Sequence, residues 1–417
     1  MKALVKLAIV TALVTSCSSN KQQEGGLPVI DVSKNYPEKE ILLTDIADVT
    51  CLYLNSDDED YLYRGSVNYI TDNTIVVVDR SSGSILLFSK DGTPKSRFNH
   101  KGQGPEEYIR VIGFQGEIVY NEKADEVFVK DRSKIQVYSS SGEYKRTITL
   151  PPDIRYTNEI IDFDDHSLFF CDTSIEGEII ATLSAGGDLS AKNYVLPFYR
   201  ISKTTGEVLD YIELQGTDLF LGAYYEGRYT GGMKVFMLGD RKYTEKCPEG
   251  ILLFNAHTDT VFLYHGDKSL TPYLSKTPLV ASLNPKEYLY HCLDRGQYQF
   301  TQVKIMHEGV YPVFYPSEYY MRNKKTGEIV RQKLLLPDYK DKEFIMDPSR
   351  TYAPDEVVSD EIVSDGMFYD GGYCFELGLY DLKEAYRAGK LSGQLKDLVA
   401  TLDEDRDNNV FMLVEFK

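Results

Sequence analysis

Within one short stretch, Gly102-Gln103-Gly104-Pro105-Glu106-Glu107-Tyr108 gathers two glycines, a proline, two carboxylates and a phenol. Gly102 and Gly104 admit φ > 0, while Pro105 fixes its own φ and biases Gly104 toward extended backbone. Such a loop could present Glu107 and Tyr108 to a ligand at a channel mouth. The same geometry suits a tight crossover between structural units, with Tyr108 packed inward, and this second reading is preferred. A dinucleotide loop is excluded, because Glu107 occupies the place of the third glycine and no helical pattern follows.

Aromatic clusters are the next candidates. Tyr224, Tyr225, Arg228 and Tyr229 lie in the glycine-flanked stretch LGAYYEGRYTGG. Flat rings beside an arginine can stack on sugars or anchor a peptide. Tyr311, Phe314, Tyr315, Tyr319 and Tyr320 form a second cluster, read as alternating strand core. The acidic run Asp403-Glu404-Asp405-Arg406-Asp407 is a solvated turn and not a calcium loop, since it lacks the central glycine and carries Val414 in place of the final glutamate. Asp57 to Asp60 and Asp162-Asp164-Asp165-His166 read as surface loops. The six histidines show no HxH, HExxH or i, i+4 pairing, and no GxSxG nucleophile elbow is present. No residue is therefore assigned a catalytic role, and no motif implies a cofactor.

Lipid chemistry is indicated at the N-terminus. Lys2 and Lys6 precede an apolar core from Leu4 to Val14, too short to span a bilayer as a mature helix. Val14-Thr15-Ser16-Cys17 resembles a bacterial lipobox, in which Cys17 is lipidated and becomes the first mature residue. Residues 1–16 read as a lipoprotein signal peptide, 17–38 as a lipid-anchored tether, and 39–417 as the folded domain. The expected location is the cell envelope at the outer membrane, with periplasmic and surface-facing orientations both open. The other cysteines, Cys51, Cys171, Cys247, Cys292 and Cys374, are odd in number and widely spaced, so most read as buried strand residues.

The elements that position these groups are β-strands. Hydrophobic residues are 42% of the chain and charged residues 26%, as in a folded protein. The net charge of −18 opposes binding to nucleic acid or to anionic lipid surfaces. Tyr (32) and Phe (19) are abundant while Trp is absent, a bias that suits strands. Residues 74–92 (TIVVVDRSSGSILLFSKDG) and 126–142 (EVFVKDRSKIQVYSSSG) repeat one pattern: apolar strand, Asp-Arg-Ser, apolar strand, glycine turn. Looser copies of the turn fall at Gly206, Gly266, Gly327 and Gly389, giving steps of 50, 64, 60, 61 and 62 residues. Fixed-period β units mean a solenoid, propeller or array. Strand candidates at both ends, 41–54 and 410–417, fit a ring closed by sharing one blade between the termini. Leucines over 379–402 follow a helical spacing and predict one amphipathic helix packed on the last unit. The expected fold is all-β, a six-bladed β-propeller with a short C-terminal helical insertion in the last blade.

The Gly102–Tyr108 segment resembles the GxGPxEY signature of six-bladed propeller lipoproteins from anaerobic Gram-negative gut bacteria, which are similar to NHL and TolB-like propellers. DTVFLYHGDKSLTPYL (259–274), YYMRNKKTGEIVRQ (319–332) and DRDNNVFMLVEFK (405–417) agree in the same order. Glu106 stands where glycine is common in that family, and Asn409 where proline is common. The resemblance implies the fold and export, and assigns no catalytic residue. The leading functional expectation is a binding or scaffold module for a protein, peptide or glycan partner, acting as a monomer and held at the membrane by its lipid. The alternative is a metal-dependent lactonase- or esterase-like hydrolase, which needs a divalent metal held by carboxylates converging in the central channel.

Overall fold

The computed structural model describes residues 26–109, 111, 116–151, 154, 157, 159–174, 195–215, 223–226, 234–237, 243–254, 258–306, 316–346, 366–369 and 372–417. Six antiparallel sheets follow one another around an axis, each with its first strand innermost. Blade 1 runs from Gly65–Ile70 to Pro94–Phe98, blade 2 from Ile118–Asn121 to Tyr144–Thr149, and blade 3 from Ile161–Asp164 to Val208–Gln215. Blade 4 runs from Thr244–Cys247 to Leu270–Thr277, and blade 5 from Lys286–Arg295 to Ile329–Leu335. Blade 6 is composite: Met367–Tyr369, Gly372–Leu377 and Val410–Phe416 are joined by Ala47–Tyr53 from the other end of the chain. In that last pairing Val410 faces Tyr53 and Phe416 faces Ala47, so the ring is closed by an antiparallel ladder between the termini. The predicted six-bladed propeller is the observed fold.

The core lies between blades, and this explains the sequence of the middle strands. Every residue of Thr74–Asp79 is buried. Ile75 and Val77 pack toward blade 6 against Phe411 and Leu413, while Val76 and Val78 pack toward blade 2 against Ile118 and Val127. A strand covered on both faces reads as a continuous apolar run and not as an alternation.

The glycine turns have a specific geometry. Gly92 and Gly142 join the third and fourth strands of blades 1 and 2 with φ of 87° and 88°. A side chain at Gly92 would meet the Tyr53 carbonyl oxygen of blade 6 at 2.1 Å, and one at Gly142 would meet Phe98 of blade 1 at 2.5 Å. Each turn thus presses on the preceding blade, and glycine is required for both backbone conformation and approach. Gly389 is different: it is not a strand turn but ends a helix, Leu379–Arg387, with φ of 68°. The sixth blade has no such turn because its fourth strand comes from the other end of the chain. The single helix expected over 379–402 is likewise two helices, Leu379–Arg387 and Gly393–Thr401, broken at Gly389 and Lys390. Leu382, Leu395 and Val399 are buried against blade 6, so the stripe is core as expected.

The N-terminal segment is more ordered than its composition suggested. Val29–Asp31 adds in parallel to the outer edge of blade 4, pairing Val29 with Ser275 and Asp31 with Thr277. Glu38–Leu42 then adds in parallel to the outer edge of blade 5. After a helical turn at Leu43–Ile46, the chain becomes the outer strand of blade 6. The stretch read as a tether over 17–38 therefore contributes Val29–Asp31 to the ring, and the strand expected over 41–54 is interrupted by that turn. Each strand pairs through its backbone and also buries one side chain, Ile30 in the core between blades 4 and 5 and Ile41 in the core shared by blades 5 and 6. The belt covers two sheet edges that would otherwise stand open.

Candidate functional site: the central channel

The inner strands converge on an axial cavity of ≈ 80 Å³, large enough for several waters. All six blades line it, through Asn68, Gly116, Glu159, Glu245, Arg295 and Tyr369 among others. These polar groups also tie neighbouring blades together. Arg295 Nη2 donates to Glu245 Oε1 at 2.5 Å, and Nη1 donates to the carbonyls of Lys246 and Asp294, both at 2.8 Å. Arg295 Nη2 also reaches the Tyr369 carbonyl at 3.4 Å, so one guanidinium links blades 4, 5 and 6. Glu245 is 2% exposed and Arg295 6%. Burial of such a pair is tolerable only with this degree of hydrogen bonding. His291 Nε2 lies 3.9 Å from Glu245 Oε2, too far for a hydrogen bond.

Similar links join the other blades. Thr244 Oγ1 donates to Glu159 Oε1 at 2.5 Å between blades 4 and 3. The Ile118 amide donates to Asn68 Oδ1 at 3.1 Å between blades 2 and 1. The channel therefore offers fixed donors and acceptors of both signs, a surface able to orient a polar group. Among the described residues, no three His, Cys, Asp or Glu side chains come together to hold a metal ion. The five described cysteines are free thiols, and burial pushes Cys51 and Cys247 up to about 12, which leaves them protonated and unreactive.

The Gly102–Tyr108 loop connects blade 1 to blade 2 and lies over blade 2. Tyr108 is fully buried, with its hydroxyl donating to the Gly83 carbonyl at 2.8 Å and accepting from the His100 amide at 3.1 Å. Burial pushes this phenol up to about 12. Glu107 Oε2 accepts from the Gly104 amide at 2.7 Å, which closes the loop on itself. Gln136 Nε2 holds the Pro105 and Glu107 carbonyls at 2.9 and 3.0 Å, and Tyr138 donates to the Glu106 carbonyl at 2.7 Å.

Tyr224 and Tyr225 lie on a strand, Ala223–Glu226, paired with Lys234–Met237 as a separate hairpin between blades 3 and 4; Tyr224 faces Phe236. Arg228 and Tyr229 lie outside the described residues, as do Cys17, Tyr311, Phe314 and Tyr315. Tyr320 is 1% exposed and packs edge-on against Tyr36 at 5.6 Å. In the acidic run, Asp407 accepts from the Tyr53 hydroxyl at 2.9 Å, and Arg387 pairs with Glu404 at 2.8 Å. Asn409 bridges the Leu379 amide and the Glu376 carboxylate at 2.8 and 2.5 Å, so it starts the first helix of the insertion. Sequence reading missed the channel set. Its one visible signal is a charged pair, Asp294-Arg295, closing the otherwise apolar YLYHCL run.

A ring of six radial sheets with an axial channel defines this chain as a six-bladed β-propeller. It belongs to the family described as a domain of unknown function, DUF4934, whose profile matches residues 27–415. Among solved structures it is similar to a protein of Bacteroides fragilis described as exported, at 15% identity and a TM-score of 0.57, covering 93% of this chain and 99% of that one. It also matches the WD40 domain of Neurospora crassa Pan2 at 9% identity and a TM-score of 0.36, covering 89% and 98% of the two chains. No curated protein sequence matches it. No helix among the described residues is long and apolar enough to cross a membrane.

Proposed function

We propose that this chain is an exported, lipid-anchored propeller of the NHL and TolB-like kind that binds a protein, peptide or glycan partner at the mouth of its central channel. The observation that carries the reading is the channel lining: every blade contributes, and Glu159, Glu245, Lys246, Arg295 and Asn68 set donors and acceptors of both signs around one axis. A few convergent polar groups at a concave surface fix the orientation of a ligand. Tyr224 and Tyr225, on the strand Ala223–Glu226 that precedes blade 4 in sequence, are taken as the aromatic contacts of the same partner. Export and anchoring at the outer membrane rest on the Lys2–Cys17 segment, and the Bacteroides fragilis neighbour described as exported supports the first of these.

The test is a glycan and peptide array probed with the purified monomeric protein, followed by titration of each hit against Lys246→Ala and Tyr224→Ala. Loss of a contact that matters weakens binding about 10-fold. An empty array, or full affinity in both variants, overturns the reading.

A further inference from the structure

The outer sheet edges of the ring are not protected alike. Those of blades 4 and 5 are covered by Val29–Asp31 and Glu38–Leu42. Those of blades 1 and 2 carry Pro94, Lys95 and Arg97, and Lys145 and Arg146. Proline and basic side chains are the ordinary guard of an edge against strand pairing. Val208–Gln215, the outer strand of blade 3, has eight residues against five and six in those of blades 1 and 2. It holds no Lys, Arg or Pro. Among the described residues, no strand pairs with its outer side.

The backbone of this edge is set to accept one. Glu213 faces Pro197, which has no N–H and gives its carbonyl to the Asp172 amide at 2.9 Å. The pair is therefore of the non-hydrogen-bonded kind, and such a residue points its own N–H and C=O away from its partner. Tyr211, which faces Tyr199, has the same orientation; its N–H is taken by Asp210 Oδ1 at 2.9 Å, which leaves its carbonyl. The edge thus presents the Tyr211 carbonyl with the Glu213 amide and carbonyl. A bulge at Leu209 lies near the start of the strand and leaves Asp210–Gln215 in regular register.

The side chains specify what fits. Phe170, Tyr199 and Tyr211 face one another across three strands, with ring centroids 5.8 and 5.1 Å apart, so a row of rings runs from the core between blades 2 and 3 to the rim. Tyr211 at the end of that row is 43% exposed, as is Leu209. The Tyr211 hydroxyl donates to the Glu213 carboxylate, and Glu207 and Glu213 are both exposed. On the opposite face Ile212 and Leu214 enter the core between blades 3 and 4. The Lys268 ammonium lies 3.9 Å from the buried Asp210 carboxylate on that face.

We propose that the outer edge of blade 3 takes up an extended segment of a partner protein by strand addition, with basic residues on the face of Tyr211 and Glu213 and apolar residues on the face of Ile212 and Leu214. An arginine placed there stacks on Tyr211 and pairs with Glu213. The apolar residues repeat the part of Ile30, buried where the belt joins blade 4. The belt shows that outer edges of this ring accept an added strand. The acidic edge, in a chain of net charge −18, favours a basic segment over a second copy.

The experiment is a titration of the full protein, at physiological salt, into a labelled peptide of alternating arginine and valine matched in length to Val208–Gln215, read by fluorescence anisotropy. Two control peptides carry glutamate for arginine, or a methyl group on every backbone nitrogen, which keeps the charge and prevents strand addition. The expected result is binding of the arginine peptide, at least about 10-fold weaker binding of both controls, and slowed hydrogen exchange at the Glu213 amide in the complex. Tyr211→Lys/Glu213→Lys, at two exposed positions, weakens binding at least about 10-fold. The proposal is overturned if the arginine peptide does not bind, if the methylated copy binds equally, or if the double variant keeps the parent's affinity. A parent that sediments as a dimer and a double variant that sediments as a monomer would overturn it in favour of a second copy. Binding at the channel mouth is unchanged in the double variant, so the two readings fail separately.

Discussion

The Tyr53 hydroxyl donates to Asp407 Oδ1 at 2.9 Å, joining two residues 354 positions apart in sequence. Tyr53 ends the N-terminal strand of blade 6, and Asp407 precedes the C-terminal one, so this bond fastens the ring where it closes. Tyr53 also accepts from the Ser56 amide at 2.9 Å. Tyr53→Phe removes both bonds and is expected to lower stability by about 1–2 kcal/mol in denaturant titration. Removal of residues 410–417 deletes the closing strand outright and is expected to abolish the cooperative transition.

Tyr108→Phe tests the crossover between blades 1 and 2. The substitution leaves the Gly83 carbonyl and the His100 amide without their buried partner. A loss of about 1–3 kcal/mol is expected from chemical denaturation, and a change below a few tenths would show that the loop is held by its backbone contacts alone.

Paired glycine variants separate strain from collision. Gly327 has φ of 76° with nothing within 4 Å of an added side chain, whereas Gly142 has φ of 88° with Phe98 at 2.5 Å. Gly327→Ala is expected to cost about 1 kcal/mol, for the left-handed conformation only. Gly142→Ala adds displacement of a neighbouring blade and should cost at least about 2 kcal/mol. Equal losses would contradict the close approach.

Acid stability should depend on Glu126. Arg146 Nη1 and Nη2 donate to its two oxygens at 2.5 and 2.8 Å, and the same guanidinium reaches the Lys203 carbonyl of blade 3 at 2.9 Å. The hydrogen bond from Arg146 holds the Glu126 carboxyl below its ordinary value of 4.5, against a smaller opposing effect of burial. Because the folded value lies below the unfolded one, the stabilisation is fully present above pH 4.5 and is lost as pH falls through the folded value. Glu126→Gln should therefore be less stable than the parent by about 1 kcal/mol at neutral pH, with the two converging in acid. A constant difference across that range would assign the effect to packing.

Cys17→Ala addresses the anchor. The variant is expected to move from the membrane fraction to the soluble fraction on cell fractionation, and unchanged partitioning would remove the lipobox reading.

The ring was legible in sequence because its strands obey local rules. TIVVVDRSSGSILLFSKDG carries two apolar runs, an Asp-anchored turn and a glycine whose positive φ no other residue adopts cheaply. Gly389 shows the limit of that signal, since a glycine ending a helix and a glycine ending a strand look alike when only spacing is read. The channel was not legible. Glu245 and Arg295 lie 50 positions apart, and their encounter depends on the angle each blade makes with the next. Nor was the belt, because Val29–Asp31 is only three residues long and buries a single apolar side chain, Ile30, too short a pattern to stand out from the polar stretch before it.

That belt decides how the molecule bears load. A chain tethered at its N-terminus and pulled away from a surface transmits force first into Val29–Asp31, then Glu38–Leu42, then Ala47–Tyr53, on the rims of three successive blades. The first two run parallel to their partners, so tension along the strands tends to slide several hydrogen bonds together instead of unzipping them one at a time. Gly65 and every residue of blades 1 to 5 lie beyond those rungs. Drag on a chain held at its N-terminus is thus absorbed at the perimeter, before it reaches the axis with its charged lining.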